Sequence, residues 1–252
     1  MRLFDSFPPR VLAPNLITAS GMVLGFVSVA SSAAGAYGRA AWLIALAALV
    51  DKLDGSVARA LRASSEFGVQ FDSFSDFCTF GLAPAALVYF ATPTLAGPAW
   101  AGAADVGCPR GALLFGICAA YAVFAAVRLA RFNVNTEEHP TMFQGLPSTL
   151  SGSLVGLCFL TAHELGVATA DVLALFPWLL VLNATLMVSN LPLPKLKLPA
   201  GLPGRIFFIA NAAAIYVLVP MQVAFWYALT VLLGYVSIGF VLGLRAERGS
   251  VA

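Results

Sequence analysis

Apolar runs of about twenty residues recur along the whole chain, separated by short breaks that carry glycine, proline or charge. A bilayer core about 30 Å thick needs ~20 residues of helix. On that ruler the pattern predicts eight spans, at 14–36, 39–62, 69–93, 111–134, 147–166, 171–190, 204–220 and 222–244. The breaks fall at Gly35 and Gly38, from Glu66 to Gly68, from Thr92 to Arg110, from Glu137 to Gly145, and from Pro192 to Gly204. The expectation is an all-α fold: a polytopic transmembrane bundle over 14–244 and a tail from 245 to 252. No internal repeat or soluble domain interrupts it, so residues 1–252 form one membrane domain.

Composition agrees, with 60% hydrophobic and 10% charged residues and a mean hydropathy of +0.88, far more apolar than a soluble domain. Before the first run, Leu3, Phe4, Phe7 and Val11 alternate with Arg2, Asp5 and Arg10. That pattern over residues 1–13 suits a short helix lying along the headgroups; a frayed polar terminus fits the same residues. Asp5 and three prolines break residues 1–15, and no small-residue cleavage site follows, so the first helix is expected to stay.

Threading eight spans across a membrane puts twelve of the fourteen Lys and Arg residues on one side, leaving Arg39 and Arg110 on the other. Positive residues collect on the cytoplasmic side. Both termini are therefore expected in the cytoplasm, in an inner or cell membrane. No basic patch interleaved with aromatics points to nucleic acid. Cys78, Cys108, Cys118 and Cys158 lack metal-ligand spacing, and no disulfide is expected.

One stretch breaks the apolar pattern. Asp51, Asp54, Asp72 and Asp76 lie within 26 residues of otherwise membrane-compatible sequence. An ionised aspartate at membrane depth costs ~2.5–3.5 kcal/mol even on the lenient insertion scale. Compensating cations are needed; Arg59 can supply one charge, and two divalent metals would supply the rest. At about 100° per residue, Asp51, Asp54, Gly55 and Ala58 share one helix face with Arg59 at its edge, and Asp72 and Asp76 lie one turn apart on a second helix. A reversal around Gly68 would bring the two sets together. Gly55 and Ala58 add almost no side chain, so a ligand can approach the backbone beside the acids.

The order Asp51-x-x-Asp54-Gly55-x-x-Ala58-Arg59, eight residues, Gly68, three residues, Asp72, three residues, Asp76 resembles the complete signature of the CDP-alcohol phosphatidyltransferase family. The resemblance implies Mg2+ or Mn2+ as cofactor, two ions per site. Asp51, Asp54 and Asp72 would ligate one ion, Asp51, Asp72 and Asp76 would hold or contact the second, and Asp76 would also take the proton from the attacking hydroxyl. It implies a CDP-linked lipid as donor, CMP as leaving group, Arg59 beside the diphosphate, and a homodimer among membrane lipids. Pro14-Asn15-x-x-Thr18 also resembles the family pattern, and places Asn15 and Thr18 where they could hydrogen-bond the nucleotide; capping by Asn15 fits as well. Gly55, Ala58 and Gly68 complete the expected nucleotide site.

Flanking segments resemble the phosphatidylserine synthase branch: SEFGVQFDSFSDF from Ser65, FGLAPA from Phe80, RLARFN from Arg128, GLPS from Gly145 and LMVSN from Leu186. That branch implies CDP-diacylglycerol as donor and L-serine as acceptor. A carboxylate acceptor is best held by a guanidinium fork, which makes Arg128 and Arg131 candidates, with Asn133 close by; snorkelling at a helix end fits either arginine too. Thr149, Ser56 and the segment NLPLPKLKLP depart from the branch, and glycerol 3-phosphate, inositol phosphate and inositol stay open as acceptors. His139 and His163 fit solvated positions better than catalytic ones, and Phe225, Trp226 and Tyr227 fit an interfacial belt. An intramembrane prenyltransferase would carry two separated acid clusters without the Gly55, Ala58, Arg59 and Gly68 spacers. A transporter would show a repeat and ionisable residues at the midplane.

Overall fold

The computed structural model describes residues 9–63, 65–134, 142–194 and 201–250. Among them the chain forms α1 (Pro9–Ala33), α2 (Tyr37–Leu61), α3 (Glu66–Asp76), a π-helical turn (Phe77–Leu82), α4 (Ala83–Leu95), α5 (Pro109–Val134), β1 (Met142–Gln144), α6 (Ser148–Glu164), α7 (Ala170–Leu173), α8 (Phe176–Val188), β2 (Pro192–Pro194), α9 (Leu202–Leu218) and α10 (Phe225–Ser250). Residues 1–8 of the expected interfacial segment lie outside the described residues, as does His139; from Pro9 the chain is already in α1. The all-α expectation misses one small feature, an antiparallel pair of three-residue strands in which Phe143 faces Leu193.

Five stretches are long and apolar enough to cross a membrane: Leu12–Ala33, Glu66–Leu95, Pro109–Val134, Ala170–Val188 and Phe225–Arg245. They mark an integral membrane protein. The other three expected spans meet helices of a different kind. α2 has the length, at 25 residues, but carries the polar sequence from Asp51 onward. α6 and α9 have 17 residues each, about 25 Å at 1.5 Å per residue.

α6 is short because it is a core helix, buried nearly all round. It presents small residues to its neighbours, and Gly152 meets the π-helical turn so closely that an added Cβ would stand 2.9 Å from the Cα of Phe80. α9 is the opposite case, with no buried residue; Tyr216 ties it to α2 by donating to the carbonyl of Leu49 at 3.0 Å. Lipid-facing residues such as Phe26 and Phe207 are largely exposed, as expected where hydrocarbon rather than water surrounds the bundle. At the far end, Glu164 receives the backbone N–H groups of Ala224 and Phe225 at 2.6 and 2.7 Å, and so caps α10. Phe225 is accordingly buried, whereas Trp226 is exposed.

The π-helical turn directly follows Asp76. A wide turn of this kind disturbs the regular backbone ladder and is frequent at functional sites. Here it is pinned from two sides. Thr79 donates to the carbonyl of Gly21 at 3.2 Å, and the wholly buried Tyr121 donates to the carbonyl of Phe80 at 2.9 Å while lying 3.0 Å from the hydroxyl of Ser151. Tyr121→Phe should therefore lower stability by ~1–3 kcal/mol, the cost of leaving buried polar groups unpaired, seen as a fall in the detergent melting temperature. An unchanged melting temperature would mean the turn holds without that bond.

Candidate active site

α2 ends at an unusual place. Arg62 adopts a left-handed conformation, φ 50°, with no glycine to ease it. Its N–H reaches the carbonyl of Arg59 at 3.2 Å, and the N–H of Ala63 reaches that of Ala58 at 2.9 Å, closing the helix with a paired-carbonyl cap. Ser65 then starts α3 by accepting the N–H of Gly68 at 3.0 Å. α2 thus closes at Arg62 and α3 is under way from Glu66, so Gly68 lies within α3 and not at the reversal as expected. Gly68 sits inside the first turn of α3, where a Cβ would stand 3.3 Å from Oδ1 of Asn15 and 3.1 Å from Oγ of Ser65. Its missing side chain lets α3 pass close to α1.

This hairpin joins the acids. One carboxylate oxygen from each of Asp51, Asp72 and Asp76 lies within 4.8 Å of the other two. Asp76 is buried and the other two are half-buried. Three carboxylates so close, largely out of water, repel one another strongly; a shared cation relieves both the repulsion and the lost hydration. An all-oxygen donor set of this kind suits a hard divalent ion such as Mg2+ or Mn2+. Lys52, 3.9 Å from Asp51, forms the one ion pair with these acids among the described residues, and its side chain is largely exposed.

Asp54 stands outside that trio. It is buried and accepts the hydroxyl of Thr18 at 2.8 Å. Together with Asp72 it faces a cavity of about 190 Å³ that is also lined by Asn15, Thr18, Gly55, Ala58, Arg59 and Gly68. Every residue expected for the nucleotide therefore lines one cavity. Pro14, Ala63, Ser65 and Val69 complete the wall; Pro14, Ser65 and Val69 lie in segments that carry the resemblance, and Ala63 does not. Arg59 lies back over Gly55, where an added Cβ would stand 3.5 Å from its Nη1, and donates to Ser56 at 3.4 Å. It pairs with none of the four aspartates, contrary to the expectation that it offsets one, and its charge remains available at the cavity wall.

Behind the trio, the two candidate arginines part company. Arg128 is buried, with its guanidinium 5.1 Å from the centroid of the Phe132 ring. It donates to the hydroxyl of Ser148 at 3.0 Å, and Ser148 donates to Asp76 at 3.3 Å. Arg131, one turn on, points elsewhere. It donates to the carbonyls of Gln144 and Ser189 at 3.1 Å, of Val188 at 3.3 Å, and to Oδ1 of Asn190 at 3.2 Å. That clamp fastens α5 to the strand pair and to the end of α8. Asn133 donates to Ser73 at 2.9 Å, next to Asp72, and so ties α5 to α3. The segments RLARFN, GLPS and LMVSN, far apart in sequence, thus meet around these two arginines.

A family model described as CDP-alcohol phosphatidyltransferase matches residues 11–193. The chain is 35% identical over 190 residues to the CDP-diacylglycerol–serine O-phosphatidyltransferase of Helicobacter pylori, covering 75% of this chain and 74% of that protein. It is 28% identical over 190 residues to the Bacillus subtilis protein of the same name, covering 73% and 90% respectively. It is also 28% identical over 193 residues to the archaetidylserine synthase of Methanothermobacter thermautotrophicus, covering 73% and 70%. With a matching model that spans well over half its length, and with the signature residues gathered around one cavity and one carboxylate trio, the chain belongs to the CDP-alcohol phosphatidyltransferase family.

Proposed function

We propose that this enzyme transfers the phosphatidyl group of CDP-diacylglycerol to the hydroxyl of L-serine, releasing CMP. The observation that carries the reading is the adjacency of two features: a cavity lined by the nucleotide-site residues, and a carboxylate trio with one buried arginine a single hydroxyl away. The relatives add the acceptor. Those named here differ in their lipid, diacylglycerol or archaeal, but share serine in their names.

In this reading the CDP group lies in the cavity, with Asn15 and Thr18 offering hydrogen bonds, Gly55, Ala58 and Gly68 leaving room, and Arg59 beside the diphosphate. Two magnesium or manganese ions, held by Asp51, Asp72 and Asp76 with Asp54 at the edge of the set, would supply the positive charge that stabilises the phosphoryl oxygens and the departing CMP. Asp76 accepts the proton of the serine hydroxyl, and that oxygen forms the new bond to the lipid-bearing phosphorus as the bond to the CMP oxygen breaks. Arg128 faces the serine carboxylate with a planar pair of donors. Confinement in one pocket turns a collision of two substrates into a positioned displacement.

The same reading places the enzyme in the cell membrane with eight helices crossing and the site towards the cytoplasm. Arg39 begins α2 and Arg110 begins α5, at the ends opposite Arg59 and Arg128, which supports the charge asymmetry. An interfacial segment over residues 1–13 rests on the alternation of apolar and charged residues there, and a homodimer on the family resemblance. The test is an acceptor panel: L-serine, glycerol 3-phosphate, inositol phosphate or inositol with CDP-diacylglycerol in detergent, with Mg2+ or Mn2+ or with excess chelator. Serine should give phosphatidylserine and equimolar CMP, and chelator should abolish both. Product from glycerol 3-phosphate and none from serine would overturn the acceptor; full activity in chelator would overturn the metal.

A further inference from the structure

Ser148 is the first residue of α6, one position past the cap, so its hydroxyl is not committed to capping the helix. Pro147 occupies the cap position, no side chain caps the first turn, and the carbonyl of Pro147 takes the N–H of Ser151 at 3.0 Å. The Ser148 hydroxyl instead sits between two buried charged groups, and its own residue is wholly buried. A guanidinium can only donate, and a hydroxyl has one hydrogen. Because Arg128 donates to Ser148, the single Ser148 hydrogen is directed to Asp76.

The position is rigid. The turn before it is anchored on α8 and its exit, since the N–H of Leu146 reaches the carbonyl of Leu186 at 2.9 Å and that of Gly145 reaches Leu191 at 2.8 Å. Gly145 has φ +73°, and a Cβ there would stand 2.6 Å from the carbonyl of Met187. α6 behind it is packed along its length. One oxygen of Asp76 is therefore held by a hydroxyl that cannot drift, and the guanidinium is held from the other side of that hydroxyl with the Phe132 ring near it.

We propose that Ser148 is a positioning residue that aims the Asp76 carboxylate and fixes Arg128 at a set distance from it, so that one hydroxyl registers the acceptor's anionic end against the base. This rests on the reading of Asp76 as base and Arg128 as anion holder. It implies an acceptor whose anionic group and hydroxyl are only a few bonds apart. It also implies that Arg128 and Asp76 work as a unit beside the cavity, whose wall includes neither of them.

The experiment compares wild type with Ser148→Ala, and with Ser148→Cys, which keeps nearly the same volume while weakening the hydrogen bonds. CMP release is followed with CDP-diacylglycerol and whichever acceptor the wild type uses best. A wrong acceptor reading then shows in the wild type, whereas failure of the present inference shows only in the variants. Both variants should lose roughly ten- to a hundredfold in kcat, with an apparent CDP-lipid KM within about twofold of wild type. In a double-mutant cycle with Arg128→Lys, read on kcat/KM for the acceptor, the combined loss should exceed the worse single loss by no more than about threefold, because the two act in series. A kcat within twofold of wild type in the better-folded variant would overturn the proposal, as would additive losses in the cycle or equal losses in kcat and CDP-lipid affinity.

Discussion

Asp76→Asn should lower kcat by ~10²–10⁴-fold, the usual contribution of a positioned general base, while the apparent affinity for CDP-diacylglycerol stays within a few-fold of wild type. The substitution preserves shape, and its amide oxygen can still accept the Ser148 hydroxyl, so the turn around residue 76 should survive. It removes the negative charge and the capacity to take a proton. Asp51→Asn gives the contrast. Asp51 belongs to the same trio but comes from the other helix, where its charge also balances Lys52. As a shared ligand it should organise the diphosphate as well as the chemistry, so its loss should degrade binding and turnover together. Steady-state CMP release alongside CDP-lipid binding separates the two patterns. Equal losses of affinity in the two variants would remove the basis for assigning the proton transfer to Asp76.

That contrast was largely legible in the sequence, for a plain geometric reason. Residues three and four apart on a helix share a face wherever the helix goes, so Asp51 with Asp54, and Asp72 with Asp76, were paired before any fold was known. Spacing cannot assign partners between helices. It left open that Asp54 would turn to Thr18 while Asp51 joined the α3 pair. Glycine is the usual breaker, so the sequence points to Gly68 for the reversal; the left-handed residue is Arg62, which carries no local cue. The π-helical turn was invisible because its contacts, Gly21 and Tyr121, are tens of residues away. A period of 3.6 cannot announce a register that tertiary contacts impose. For the same reason the burial of α6 could not be told from a lipid-facing span; both are apolar on every side.

The two arginines show that limit most clearly. They lie one turn apart on α5, so periodicity treats them alike, and only the strand pair and the end of α8 tell them apart. That difference sets the second prediction. Arg128→Lys should raise the apparent serine KM by roughly ten- to a hundredfold, because a charge-assisted contact is worth about 1.5–3 kcal/mol and an ammonium cannot reproduce the planar fork. The CDP-lipid KM should stay nearly constant. Arg131→Lys keeps the charge but cannot span four acceptors on two separate segments. Its effect should fall on the melting temperature, by the equivalent of ~1–3 kcal/mol, and leave serine dependence within about twofold. Initial rates over a serine titration, with detergent melting curves for each variant, read both axes. If Arg131→Lys moves the serine KM and Arg128→Lys does not, the clamp residue holds the carboxylate and the buried arginine is structural. If neither moves it, the carboxylate is bound elsewhere in the site.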